Sequence, residues 1–216
     1  MITGNQILYR TLSCRTGRLT LAAKPADPVR VLMLILLAGT GLGTLLCCKF
    51  PDAAQLPLLT QGLAVQGDLR TLWDVFCTAA LPLLLLLGGV MLCGGWSYGQ
   101  PFLLLLLLLR GSAIGLAAAD CFRTYGLRQG LLNVSTIILP FAFVSALLLI
   151  FPVRDALSLA CRITAYLIKG NADPEIRAGQ HKLLSSVLRA MLLTIPAAGL
   201  HTLLIFAADR SALLQL

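Results

Sequence analysis

The chain has 216 residues, 58% of them hydrophobic and 12% charged, with a mean hydropathy of +0.88 and a net charge of +8. A soluble domain carries about 25% charged residues, so the composition excludes a water-soluble globular protein and implies one polytopic membrane domain with short loops. The basic balance does not indicate a nucleic-acid partner, because no stretch clusters aromatic with basic residues.

Residues 1–30 form a basic arm, with Arg10, Arg15, Arg18, Lys24 and Arg30 against Asp27 alone. The first apolar segment begins only at Val31, late for a cleaved signal peptide, and no small-residue cleavage site follows it. The first predicted span is 31–48. Gly39 and Gly43 within it form a G-x-x-x-G pair. Such a pair lets a neighbouring backbone approach closely, although glycine is in any case common in membrane helices.

Lys49–Arg70 is a loop containing Pro51 and Pro57. The second span, 72–93, opens on the interfacial pair Trp73 and Asp74 and contains Pro82 and Gly88-Gly89. An uncharged turn, Gly94–Gln100, leads to the third span at 101–119, built on the run Leu103–Leu109 and containing Arg110. The fourth, 131–151, has Pro140 in its middle, where a missing N–H kinks the helix. In lipid the freed carbonyl must be covered by protein, so Pro140 is predicted to face the bundle. The basic segment 154–189 follows. Its Asp155–Ile168 part mixes apolar and basic residues as a helix at the membrane surface would. Gly170-Asn171-Ala172-Asp173-Pro174 breaks it before a fifth span at 187–207, kinked at Pro196, and a short tail, 209–216, on the outer side. The predicted fold is therefore all-α, a five-span bundle with kinked or broken helices.

Charge sets its direction. With the N-terminus in the cytosol, inner segments hold eleven Lys and Arg and outer segments five, while Arg110 lies in the membrane. That bias is the positive-inside pattern. Arg123 and Arg128 then fall outside, and their position suggests that 119–130 turns back within a protein-lined vestibule.

Few residues offer chemistry. The seven cysteines have no C-x-x-C or metal spacing, so no disulfide framework or metal site is expected. Gly95-Trp96-Ser97-Tyr98-Gly99 matches G-x-S-x-G, but a nucleophile elbow needs a strand before it and a histidine in reach. A glycine-rich turn with interfacial aromatics is the expected reading. No H-E-x-x-H motif or carboxylate cluster accompanies His201, and no phosphate-binding loop is present. No catalytic residue, cofactor or metal is predicted, and the chain is read as not an enzyme. Arg110 and Asp120 remain. Ten residues apart, they are about 15 Å apart along a continuous helix and cannot pair across it. Arg110 either meets another group, Asp74 or a phosphate, or snorkels to the headgroups. Gly111 and Gly115 form a second G-x-x-x-G pair directly after it, suited to a close interhelix or intersubunit contact.

Residues 71–153 carry, in order, Arg110-Gly111, Gly115, Tyr125-Gly126, Gly130 and Leu139-Pro140. This order resembles the stage II sporulation protein M family, in which a span ends in a basic residue and glycine and a glycine turn precedes a proline-broken helix. The chain looks like a divergent member, with Phe141-Ala142 where the family often has a polar pair and with Asp120 and Arg123 at usually apolar places. The resemblance implies a noncatalytic scaffold of the bacterial cytoplasmic membrane. It would act at the septal membrane during forespore engulfment, holding the peptidoglycan-remodelling stage II sporulation proteins D and P, with lipid and a further copy of the chain as other contacts. Arg110, Gly111, Gly115, Asp120, Gly126, Gly130 and Pro140 are then the candidate packing or partner positions. A different class also fits: a permease subunit working with a separate ATPase, since broken helices often line substrate sites.

Overall fold

The computed structural model describes residues 28–50, 63, 72–169 and 175–213, which are helical throughout apart from short turns. The helices are α1 (Pro28–Lys49), α2 (Leu72–Gly94), α3 (Gly99–Asn133), a π-helical turn (Val134–Ile138), α4 (Leu139–Lys169) and α5 (Glu175–Leu213). Four helical stretches are long and apolar enough to cross a membrane, one of them the 69-residue run Gly99–Leu167 that joins α3 to α4. The exterior is apolar. Leu34, Leu45, Leu85, Leu92, Phe143, Leu192 and Leu203 are each more than half exposed, as lipid-facing side chains are.

The 69-residue run is a hairpin. Gly126 alone leaves the helical conformation, with φ 74° and ψ −179°, a region closed to residues with a Cβ. On either side of it the chain packs against itself. The Cys121 thiol lies 3.9 Å from the Gly130 carbonyl, Arg110 bonds Ser145, Gln100 bonds Cys161 and Ser97 bonds Thr164. Partners thus step down two antiparallel limbs. Along one straight helix Arg110 and Ser145 would be about 52 Å apart. Gly130 fits because a Cβ there would come within 2.9 Å of the Phe122 ring.

This corrects the expected vestibule. Residues 119–125 continue the helix, and the reversal is confined to Gly126, leaving Arg123 and Arg128 exposed at the hairpin tip. Charged residues read as loop because lipid rejects them, but a helix is free to extend past the hydrocarbon. A second correction concerns 155–168. It continues α4 through Pro152 and buries Ala156 and Leu159 in the same core as Leu183 and Val187 of α5.

The π-helical turn has a local cause. Pro140 has no N–H to give and its ring crowds the carbonyl four residues back, so the preceding helix widens and the Leu139 N–H bonds the Val134 carbonyl five residues back. Pro140 itself is half-buried.

Helix α1 packs chiefly on the first limb of α3, and α5 packs on α2 and α4. The two G-x-x-x-G pairs meet each other. A Cβ on Gly39 would lie 2.5 Å from the Leu108 carbonyl oxygen and 3.1 Å from Gly111 Cα. One on Gly43 would overlap the Ser112 carbonyl, one on Gly111 that of Leu36, and one on Gly115 that of Thr40. Matching positions rise together in both helices, so α1 and this limb run parallel. By contrast Gly41, on the other face of α1, has open space around it.

Candidate functional site

Arg110 comes eleven positions after Gly99 and sixteen before Gly126, about 16 Å and about 24 Å of rise. It lies near the middle of the bundle and is completely buried, so it does not snorkel. Its Nη2 donates to Ser145 Oγ at 2.7 Å. The Ser145 hydroxyl gives its own proton to the Ala142 carbonyl at 3.0 Å, which turns an oxygen lone pair toward the guanidinium. Arg110 Cζ also lies 5.7 Å from the centroid of the Phe141 ring, and that ring stacks on His201 with centroids 4.2 Å apart and planes at 15°.

Four buried side chains from three helices therefore form one cluster: Arg110 of α3, Phe141 and Ser145 of α4, His201 of α5. Phe141 and Ser145 are four apart and share a helix face, while the hairpin brings that face to Arg110. An arginine at a membrane helix centre costs about 2.5–3.5 kcal/mol on insertion scales. A hydrogen bond to a charged group contributes about 1.5–3 kcal/mol and a desolvated cation–π contact about 2 kcal/mol, so the cluster is of the right size to hold the charge.

Along α3, Arg110 falls between residues of two apolar cores, Leu107 of the first and Ala113 of the second, and Phe141 itself belongs to the second. One contains Leu36, Leu87, Leu107, Leu149 and Val187. The other contains Ala80, Ala113, Cys121, Phe141, Ala198 and the loop residue Leu63, which is fully buried there. No water-sized surface reaches Arg110. Chemically the arrangement fixes three helices to one another. It offers no exposed group for a reaction.

The other sequence-predicted residues separate into distinct places. Gly111 and Gly115 form the α1–α3 seam, so they serve packing within the chain and are closed to any partner. Gly126 makes the hairpin turn and Gly130 its close return. Asp120 is half-buried on α3, beyond the seam. Asp74 is exposed at the first turn of α2. Ser97 lies in the turn between α2 and α3, its hydroxyl 3.1 Å from that of Thr164, with helix on both sides and no preceding strand. Among the described residues no group of three or more His, Cys, Asp or Glu is placed to hold a metal ion.

Ser145 carried no signal in the sequence, being one serine in an apolar span. Phe141 did: it replaces the polar pair of the resembled family, and it is the ring that carries both guanidinium and imidazole. No protein-family model matches the chain, and no curated protein or solved structure does. The likeness to the stage II sporulation protein M family thus rests on the ordered residues alone.

Proposed function

We propose that the chain is a noncatalytic scaffold that crosses a bacterial cytoplasmic membrane five times, with its N-terminal arm in the cytosol. The hairpin at Gly126 supports counting Gly99–Leu167 as two crossings. The parallel run of α1 and the first α3 limb supports an intervening return through α2. The Gly95–Tyr98 turn packs on Thr164 near the basic α4–α5 segment, so the end chosen as cytosolic by charge is also one structural end.

The observation that carries the scaffold reading is Arg110. The costliest residue in the membrane is sealed from solvent and bonded to a neighbouring helix, which is what rigidity requires and substrate passage does not. By the family resemblance, the partners are wall-remodelling enzymes held at the septal membrane. The Lys49–Arg70 loop, which this topology puts on the outer side, lies mostly outside the described residues. The test is chemical cross-linking in intact membranes followed by purification of the full chain. Capture of peptidoglycan-remodelling proteins is expected, and the variant Arg110→Met, which keeps volume and removes charge, is expected to retain that capture. Recovery of a stable complex without any such enzyme overturns the partner assignment.

A permease subunit is the second reading, favoured by the π-helical turn and Pro140 beside the arginine cluster, since such irregular turns recur at functional sites. It requires a cytosolic ATPase in the same complex, and it requires Arg110→Met to abolish transport.

A further inference from the structure

The inner end of the α4–α5 interface does not close. A cleft of about 520 Å³ opens between them, lined by Arg154 and Asp155 of α4 and by Lys182, Ser185, Ser186 and Arg189 of α5. A second cleft of about 290 Å³ adjoins it, shares Asp155 and Lys182, and adds Arg162 and Ser158. Asp155 is the one carboxylate among the lining residues and is bonded to Lys182 at 3.2 Å and Arg154 at 3.4 Å. The lining therefore keeps an excess of positive charge, with hydroxyls among the cations.

Its level in the bundle is fixed by packing. Gly94, the last residue of α2, abuts Ala156 and Leu183, the neighbours of Asp155 and Lys182. The charged rim thus lies where α2 ends and α3 begins, at the edge of the hydrocarbon. Below it the same cleft becomes apolar, with Leu148, Phe151 and Leu193, the last two about half exposed. Arg154 is drawn over the Phe151 ring, Cζ 5.9 Å from its centroid, so cation and apolar wall are adjacent. Positive and hydroxylated above, greasy below, at interfacial depth: these are the two halves of an anionic lipid.

We propose that this cleft binds an anionic glycerophospholipid of the inner leaflet, its phosphate held by Arg154, Lys182 and Arg189 with the serine hydroxyls, and an acyl chain lying along Phe151 and Leu193. The proposal rests on the membrane placement above and not on the scaffold's partners, so it can fail while partner capture and topology stand. It is tested by native mass spectrometry of the full chain in detergent, titrated with phosphatidylglycerol, phosphatidylcholine or inorganic phosphate. Phosphatidylglycerol is expected to bind at least about tenfold more tightly than phosphatidylcholine, at about fivefold per basic side chain. Arg189→Gln is expected to weaken it about fivefold, and the double variant Arg154→Gln/Arg189→Gln about 25-fold. Asp155→Asn is expected to tighten binding, a gain that misfolding does not produce. Arg128→Gln, at the far end of the bundle, is expected to change nothing. Equal binding of the two lipids, or an equal loss with Arg128→Gln, overturns the proposal. Full displacement of the lipid by millimolar phosphate makes this a free-phosphate site and also overturns it.

Discussion

Helix α1 meets the first limb of α3 along four glycines, whereas α4 and the start of α5 pack along one apolar face, Ala156 and Leu159 with Leu183 and Val187, and leave a charged, hydroxylated cleft beside it. In the first interface the backbones touch and no side chain intervenes, because Gly39, Gly43, Gly111 and Gly115 each face a carbonyl or a Cα. Lipid supplies no hydrophobic drive between helices, so close van der Waals contact has to provide the attraction. In the second interface Arg154, Lys182 and Arg189 are too long and too charged to pack flat. The difference teaches that the middle of this bundle and its charged rim obey different solvents. Mid-membrane contacts close by removing side chains, and contacts at the headgroup level stay open by keeping them.

The largest effect is expected at the glycine seam. Leucine at Gly43 or Gly115 would place a side chain through the Ser112 or Thr40 carbonyl, and a loss of about 3 kcal/mol is expected in denaturant unfolding in detergent. The same change at Gly41, with open space around it, is expected to stay within about 0.5 kcal/mol, and equal losses at both sites would dissolve the contrast. Next comes Ser145→Ala, which leaves the Arg110 charge buried while removing its 2.7 Å acceptor. A cost of about 2 kcal/mol is expected by the same assay, more than for Arg110→Met, which removes the charge itself. Gly126→Ala places a Cβ at φ 74° and ψ −179°, a region kept to glycine, and a loss of about 1–3 kcal/mol is expected in thermal unfolding. The smallest effect belongs to the open interface. Asp155→Asn breaks its ion pairs to a largely exposed Lys182 and a partly exposed Arg154, and its stability cost should stay below about 1 kcal/mol even as lipid binding changes.

Which parts were legible in the sequence follows from the range of each signal. Apolar runs gave the helices near Val31, Leu72, Pro101 and Val187, because spanning length is a local property. Both G-x-x-x-G pairs were visible, but not that each is the other's partner: that needs the parallel register of two helices some 70 residues apart in sequence. Arg110 was conspicuous for its cost, while its bond to Ser145 depends on where the hairpin turns and the stacking of His201 on Phe141 on how α5 returns along α4. Asp120 and Arg123 misled in the other direction, since polarity marks the end of lipid and not the end of a helix. The fourth span was likewise expected to end at 151, yet α4 continues through Pro152 because Ala156 and Leu159 bury against α5.

The most direct test is to ask whether the Gly126 turn and the Gly95–Tyr98 turn lie on opposite sides of the membrane. Single cysteines at Leu127 and Tyr98, both more than 80% exposed, would be introduced into a chain whose native cysteines are replaced by alanine. A membrane-impermeant maleimide is expected to label position 127 in intact cells and position 98 only after permeabilisation. Labelling of both from the same side would contradict a hairpin that crosses the membrane and returns.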